Sequence, residues 1–212
     1  MSRAVPAPPP RRLGARSWRA VEFASLDFET TGLDPGRDQI VSFGVVPIRD
    51  GRVVVGERVY REVSPAVRPS PASVTVHGLR QIDLQPARSL DAEREVLGSA
   101  LHHRFLLAWA AEVEAAFLAT TVGGSVRSWR RRIIDVLVLA RRVEGLRPPT
   151  ESLSYSLTAA AARFGVPVHS PHHALDDALT TAEVFLVLAT RLSSPQPPTA
   201  RSLLRAGRSS RR

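Results

Sequence analysis

Cysteine and lysine are both missing from the 212 residues. Without cysteine there can be no disulfide, no thiolate metal site and no cysteine nucleophile. Without lysine, arginine supplies all 29 basic residues, which reads as the composition bias of a GC-rich genome rather than as chemistry. No apolar run approaches the roughly 18 residues that a bilayer span requires. Although the first 19 residues are basic, Pro6-Ala-Pro-Pro-Pro-Arg-Arg12 interrupts any apolar segment a secretory signal would need. A glycine-rich phosphate loop, a Ser-His-Asp set and histidines at zinc-ligand spacing are absent as well. The expectation is a soluble, cytoplasmic protein with no membrane contact.

The charge that is present is unevenly placed. Residues 1–19 carry five arginines and no acid, and residues 193–212 carry another five and no acid. The net charge of +9 therefore belongs to the ends, and the body over 20–192 is close to neutral. The sequence predicts one folded domain over 20–192 between disordered Pro- and Arg-rich tails at 1–19 and 193–212. Such tails would either attract phosphate backbones or simply solubilise the chain.

Phe23, Ala24, Leu26 and Phe28 form a run of strand length that ends at Thr30-Thr31-Gly32. Turn chemistry over 33–38 leads to a second strand at 40–48, a hairpin signal at Asp50-Gly51 and a third strand at 52–63. After a loop, the pattern predicts a short helix over 71–77 closed by Gly78, a helix over 89–100 and a strand over 105–109. A helix over 110–119, a strand over 129–135 and a helix over 136–143 follow. The loop at 146–154 contains Pro148-Pro149 and precedes a small-residue helix over 156–164, stopped by Gly165 and Pro167. Ser170 as N-cap and Pro171 at the first position predict a last helix over 171–192. Strands first, then alternating helices and strands, indicate an α/β sheet covered by helices.

Asp27 and Glu29 lie two residues apart, and the strand period of two aims both at one face. Paired carboxylates on an apolar strand repel each other and are costly to desolvate. A Mg²⁺ or Mn²⁺ ion held by oxygen ligands removes both penalties; the plain alternative is a strand end that reaches solvent. On the last helix, Leu175, Ala178, Leu179, Ala182, Leu186 and Ala189 make the main apolar stripe. Asp176 stacks with Thr180 and Glu183 on the expected solvated face. Asp177 instead aligns with Thr181, Val184 and Leu188 on an apolar flank, where a carboxylate needs a partner. His172, five residues earlier, is placed to share that pocket and to take a proton from water near neutral pH. His102, His103 and His173 read as surface residues.

In order along the chain, Asp27-Phe-Glu-Thr-Thr-Gly32, His77-Gly-Leu79 and His172-His-Ala-Leu-Asp-Asp177 resemble the motifs of the DnaQ-like DEDDh 3′–5′ exonucleases. That family includes the polymerase III epsilon proofreading subunit and RNase T, and the similarity runs over about 23–192. The resemblance implies a ribonuclease H-like fold, a mixed five-stranded sheet flanked by helices on both faces. It implies that Asp27, Glu29 and Asp177 bind two divalent cations and that His172 is the general base. Thr30, Thr31 and His77 would lie along the 3′-terminal nucleotide. The sister group places Tyr four residues before the last Asp; here His173 stands there, and His172 at minus five fits the His-type group. The family's remaining acid follows a strand, and Ala108-Trp-Ala-Ala-Glu-Val-Glu-Ala-Ala-Phe-Leu118 aligns with that segment. Glu114 then stands where Asp is expected, completing the implied metal and catalytic set, while Trp109 and Ala110 replace a His-Asn pair. Glu112 is a rival for the same role.

Three function classes follow. The first is a metal-dependent 3′–5′ exonuclease that releases nucleoside 5′-monophosphates from the 3′ ends of single-stranded DNA or RNA. The second, motivated by Glu114 and the replaced His-Asn pair, is a weakened relative that binds nucleic acid without cutting. The third is a proofreading or accessory subunit, with a DNA polymerase as partner. Beside these stand plainer readings of single features: His77-Gly78 as a helix C-cap, Arg130-Arg-Arg132 as a solvated sheet edge, and Trp109 as core.

Overall fold

The computed structural model describes residues 6–146, 155–193 and 195–208; nearly all of the loop expected over 146–154 lies outside them. The central strand β1 (Phe23–Thr30) pairs antiparallel with β2 (Ile40–Arg49). Two further pieces, β3 (Arg52–Val53) and β4 (Val59–Glu62), each pair antiparallel with β2. On the other side β5 (Phe105–Ala108) runs parallel to β1, and β6 (Ile133–Asp135) runs parallel to β5. The mixed sheet thus has six strands in place of the expected five. The sixth arises because a 3-10 turn at Val55–Glu57 breaks the run over 52–63 into two strands on the same neighbour. Asp50 and Gly51, both at positive φ (52° and 68°), make the tight turn that folds β3 back onto β2.

The helices are α1 (Pro71–His77), α2 (Gln81–Leu84), α3 (Leu90–Leu101), α4 (Glu112–Thr121), α5 (Val126–Arg130), α6 (Val136–Val143), α7 (Leu157–Phe164), α8 (Ala174–Arg191) and α9 (Ala200–Ala206). Their starts follow from capping: the side chains of Ser70, Ser89, Asp135, Ser156 and Thr199 each accept a backbone N–H of the first turn. Gly78 and Gly165, at φ 76° and 70°, end α1 and α7 in the left-handed conformation that glycine takes without strain.

Alternation along β1 divides the core into two layers. Ala24, Leu26 and Phe28 pack with Leu97, Leu101, Phe117 and Trp129 on the side of α3, α4 and α5. Phe23 points the other way, into a layer with Phe105, Leu107, Phe185 and Leu188 beneath α8. Asp27 and Glu29 share the parity of Phe23, so the acid pair is aimed at the α8 side. Gly44 lies directly opposite Asp27 in β2. A Cβ at Gly44 would collide with the Ala174 carbonyl oxygen and the Leu175 Cα, so the first turn of α8 sits on bare backbone beside the acids.

Several stretches depart from the sequence reading. Residues 126–130 are the helix α5 rather than the start of a strand, because Ser125 and Ser128 exchange capping bonds and the Trp129 indole N–H reaches the Gly123 carbonyl at 2.8 Å. The strand proper begins at Ile133. The last helix starts at Ala174 with His173 as N-cap, not at Pro171 with Ser170, since His172 interrupts the chain at φ 61°. Thr180, expected on a solvated face, is 2% exposed and donates its hydroxyl to the Asp176 carbonyl at 2.8 Å. The inner face of α8 is broader than the predicted stripe and is centred on Ala174, Ala178, Thr181, Phe185 and Leu188, with Leu175, Leu179 and Leu186 half-buried at its margin.

The basic ends are not disordered where they are described. Residues 11–15 and 18–20 form 3-10 turns, and Trp18 is 1% exposed, edge-on to Phe185 at 6.1 Å between ring centres. Ser17 bridges to Thr199, and α9 buries Ala200 and Leu203. Arginine and proline on the outer surface hide these anchors from a composition argument. No helix among the described residues is long and apolar enough to cross a membrane.

Candidate active site

Three carboxylates from two distant segments converge at the carboxyl end of β1. Asp27 and Glu29 come from the strand and Asp177 from the first turn of α8; one oxygen of each lies within 4.8 Å of the others. The convergence has two local causes. The bare backbone at Gly44 admits the start of α8 against the sheet. Asp177 Oδ2 then accepts the His172 N–H at 2.9 Å, which ties the preceding loop to the helix. His172 is held there at φ 61°, exposed at the rim of the acid cluster.

Glu114 reaches the same region from α4, on the opposite face of the sheet, and is not among the three that converge. It is 4% exposed, and its Oε2 has no hydrogen-bond partner among the described residues. Burial above all pushes its carboxyl up to about 8, with the charges of Asp135 and Glu29 adding to the effect. Burial raises Asp27 well above the usual carboxylate range, and Glu114, Glu29 and Asp177 push it further. Glu29 is held at about 7 by burial and by Asp177. Asp177 is raised chiefly by burial, against the lowering pull of the His172 N–H. The rival Glu112 is exposed and faces Arg130 at 3.4 Å, away from the cluster.

Oxygen-only donors, mutual repulsion and an orphaned buried carboxylate oxygen are the chemistry a hard divalent cation satisfies. An orphaned buried oxygen costs about 1–3 kcal/mol if left alone. The residues present therefore fit such an ion.

The turn after β1 is stiffened from behind. Thr31 is 1% exposed; its hydroxyl donates to Asp38 Oδ1 at 2.9 Å, its N–H to the Gln39 carbonyl at 2.8 Å, and its carbonyl accepts from Ser70 and Ser73. Its N–H, carbonyl and hydroxyl are all engaged, so Thr31 frames the turn. The Thr30 hydroxyl is likewise used, donating to the Gly32 carbonyl at 2.6 Å. His77 reads both as part of the α1 C-terminus and as a site neighbour. The Leu79 N–H donates to its Nδ1 at 3.1 Å, which leaves Nε2 to carry the proton and donate to the Thr30 carbonyl at 3.2 Å. Burial, and secondarily the nearby His172, lower the His77 pKa, so the ring stays neutral.

Sequence reasoning passed over Asp135. Its Oδ1 caps α6 through the Val138 N–H at 3.0 Å, and its Oδ2 accepts the Ala111 N–H at 3.2 Å. That second bond fixes the loop between β5 and α4, where Ala110 takes a left-handed φ of 55°. An aspartate between two isoleucines and a Val-Leu-Val-Leu run is an N-cap signal, and could have been read as one.

Fold and site together define a class of enzyme. The family model for exonuclease matches residues 25–185, and the chain belongs to this DnaQ-like exonuclease family. Among relatives, it is 33% identical over 171 residues to the PolC-type DNA polymerase III of Thermotoga petrophila, covering 80% of this chain and 12% of that protein. It is 32% identical over 176 residues to a DNA polymerase III subunit epsilon-like protein of Rhodobacter capsulatus, covering 81% of this chain and 24% of the other. The chain thus spans only a small part of these relatives. In fold it is similar to E. coli Exonuclease I, solved with a dT13 oligonucleotide, with a TM-score of 0.69 at 19% identity over 82% of this chain and 42% of that one.

Proposed function

We propose that the protein is a metal-dependent 3′–5′ exonuclease acting on the 3′ ends of single-stranded DNA or RNA and releasing nucleoside 5′-monophosphates. The observation that carries this reading is the meeting of Asp27, Glu29 and Asp177 within 4.8 Å, beside a fourth buried carboxylate with an orphaned oxygen. Asp27, Glu29 and Asp177 would hold two Mg²⁺ or Mn²⁺ ions, with Glu114 supplying the remaining carboxylate. Such ions supply Lewis-acid polarisation of the scissile phosphodiester and neutralise the charge that develops on it. His172, at the rim, takes the proton of the attacking water, a role suited to an imidazole near neutral pH. His77, neutral and donating to Thr30, lies beside the terminal nucleotide, and Thr30 and Thr31 act by holding the turn beneath it. The relatives named as polymerase III proteins support a DNA polymerase as a candidate partner.

A 5′-labelled single-stranded oligonucleotide with Mg²⁺ or Mn²⁺ tests the proposal. A ladder growing from the 3′ end, abolished by chelator and by Asp27→Ala, is the expected result. Tight binding with no ladder from the wild-type protein would replace it with the non-cutting alternative.

A further inference from the structure

A cavity of about 730 Å³ opens along the β6 edge of the sheet. Arg127, Arg130, Arg131, Arg141 and Arg208 line it, facing only two acids among the described residues, Glu112 and Asp135. Both acids are engaged: Glu112 faces Arg130, and the Asp135 carboxylate accepts the N–H groups of Ala111 and Val138. Arg208 donates to the Arg131 carbonyl at 3.1 Å, so the guanidinium of Arg131 itself is not consumed by that bond. Arg127 and Arg131 are exposed and Arg141 is half-buried. A concentration of planar, permanently charged donors without matching carboxylates is built for phosphate oxygens.

Position gives this cavity its meaning. Its wall includes Ala110 and Ala111, which join β5 to α4, and Glu112, the first residue of the helix that carries Glu114. The cavity follows β6 from Ile133 to Asp135, and β6 runs parallel to β5, which runs parallel to β1. Two strand spacings separate β1 from β6, about 10 Å.

We propose that this arginine-lined cavity binds the phosphate backbone of the single strand, upstream of the 3′ end being cut. This rests on the exonuclease reading. Arg127, Arg131 and Arg141 are the contacts, and recognition is of charge rather than of base. The test is fluorescence anisotropy with a labelled dT or rU oligonucleotide of about ten residues, in chelator so that nothing is cut. The triple variant Arg127→Gln/Arg131→Gln/Arg141→Gln should bind at least tenfold more weakly. The slope of log affinity against log salt should shrink by about two, three lost contacts at about 0.7 each. A control with Arg12→Gln/Arg52→Gln/Arg58→Gln, the same charge removed from other surfaces, should lose far less. Equal affinity and slope in the triple variant, or an equal loss in the control, would overturn the proposal. Since binding is read without catalysis, 3′ laddering by the wild-type protein is judged separately, and its failure would be distinguishable from failure here. The single variants Arg131→Gln and Arg141→Gln keep the question answerable if the triple variant misfolds, each then removing about one third of the slope change.

Discussion

Glu29 at about 7 and Glu114 at about 8 hold their protons far more tightly in the folded protein than an ordinary glutamate near 4.5 does. The sign of the effect on stability follows directly. Between about pH 4.5 and 8 the folded state binds more protons than the unfolded chain, so stability falls as pH rises through that window. Thermal melts in chelator should show this decline, and Mn²⁺ at pH 8 should reverse it by favouring the ionised carboxylates. Glu114→Gln should raise the stability of the metal-free protein at pH 8 by at least about 1 kcal/mol, because a neutral amide no longer has to be buried charged. The same variant should lose activity and Mn²⁺ affinity, and an unchanged titration by calorimetry would remove Glu114 from the site. His172 differs in kind, being exposed and outside the carboxylate triad. His172→Ala should lower kcat by about 10²–10⁴-fold while Mn²⁺ affinity stays within a few-fold of wild type.

At the scale of elements, the site depends on how closely α8 approaches the sheet. Gly44→Ala places a methyl group against the backbone of Ala174 and Leu175, where neither rotamer change nor a flexible neighbour can absorb it. The expected cost is about 2–3 kcal/mol, and activity should fall further than stability because Asp177 is carried away from Asp27. Denaturant melts and the laddering assay together check both. The sequence revealed what depends on periodicity and local chemistry: the strand with Asp27 and Glu29, the Asp50-Gly51 turn, the Ser- and Gly-bounded helices, and the inward aim of Asp177. It misread elements whose form is set by individual bonds between side chain and backbone rather than by periodicity. The Ser170-Pro171 cap signal lost to the left-handed turn at His172, which Asp177 stabilises from within the helix. Trp129, apolar and next to Ile133 and Ile134, resembled a strand residue, but its indole is satisfied within its own turn by Gly123. The role of Gly44 could not be read at all, since only the packed helix makes a side chain there impossible.

For the molecule as a whole, the described parts of the two basic ends are structural. Trp18→Ala removes a buried indole that meets Phe185 and donates to Ser193 Oγ at 3.1 Å. Its cost should be about 3–5 kcal/mol, measured as a loss in denaturant midpoint; a change below 1 kcal/mol would show that the N-terminal segment is dispensable. The ends also meet each other. Pro6 accepts from Arg132, while Arg208 donates to the carbonyl of the adjacent Arg131, so the first and last described residues anchor on neighbouring positions of one loop. A short peptide linker joining them, with new termini opened at the Asp50-Gly51 turn, should yield a circular permutant that folds and cuts as the original does. The same proximity means that the unit can be spliced into a longer polypeptide as a closed loop, with entry and exit at one point.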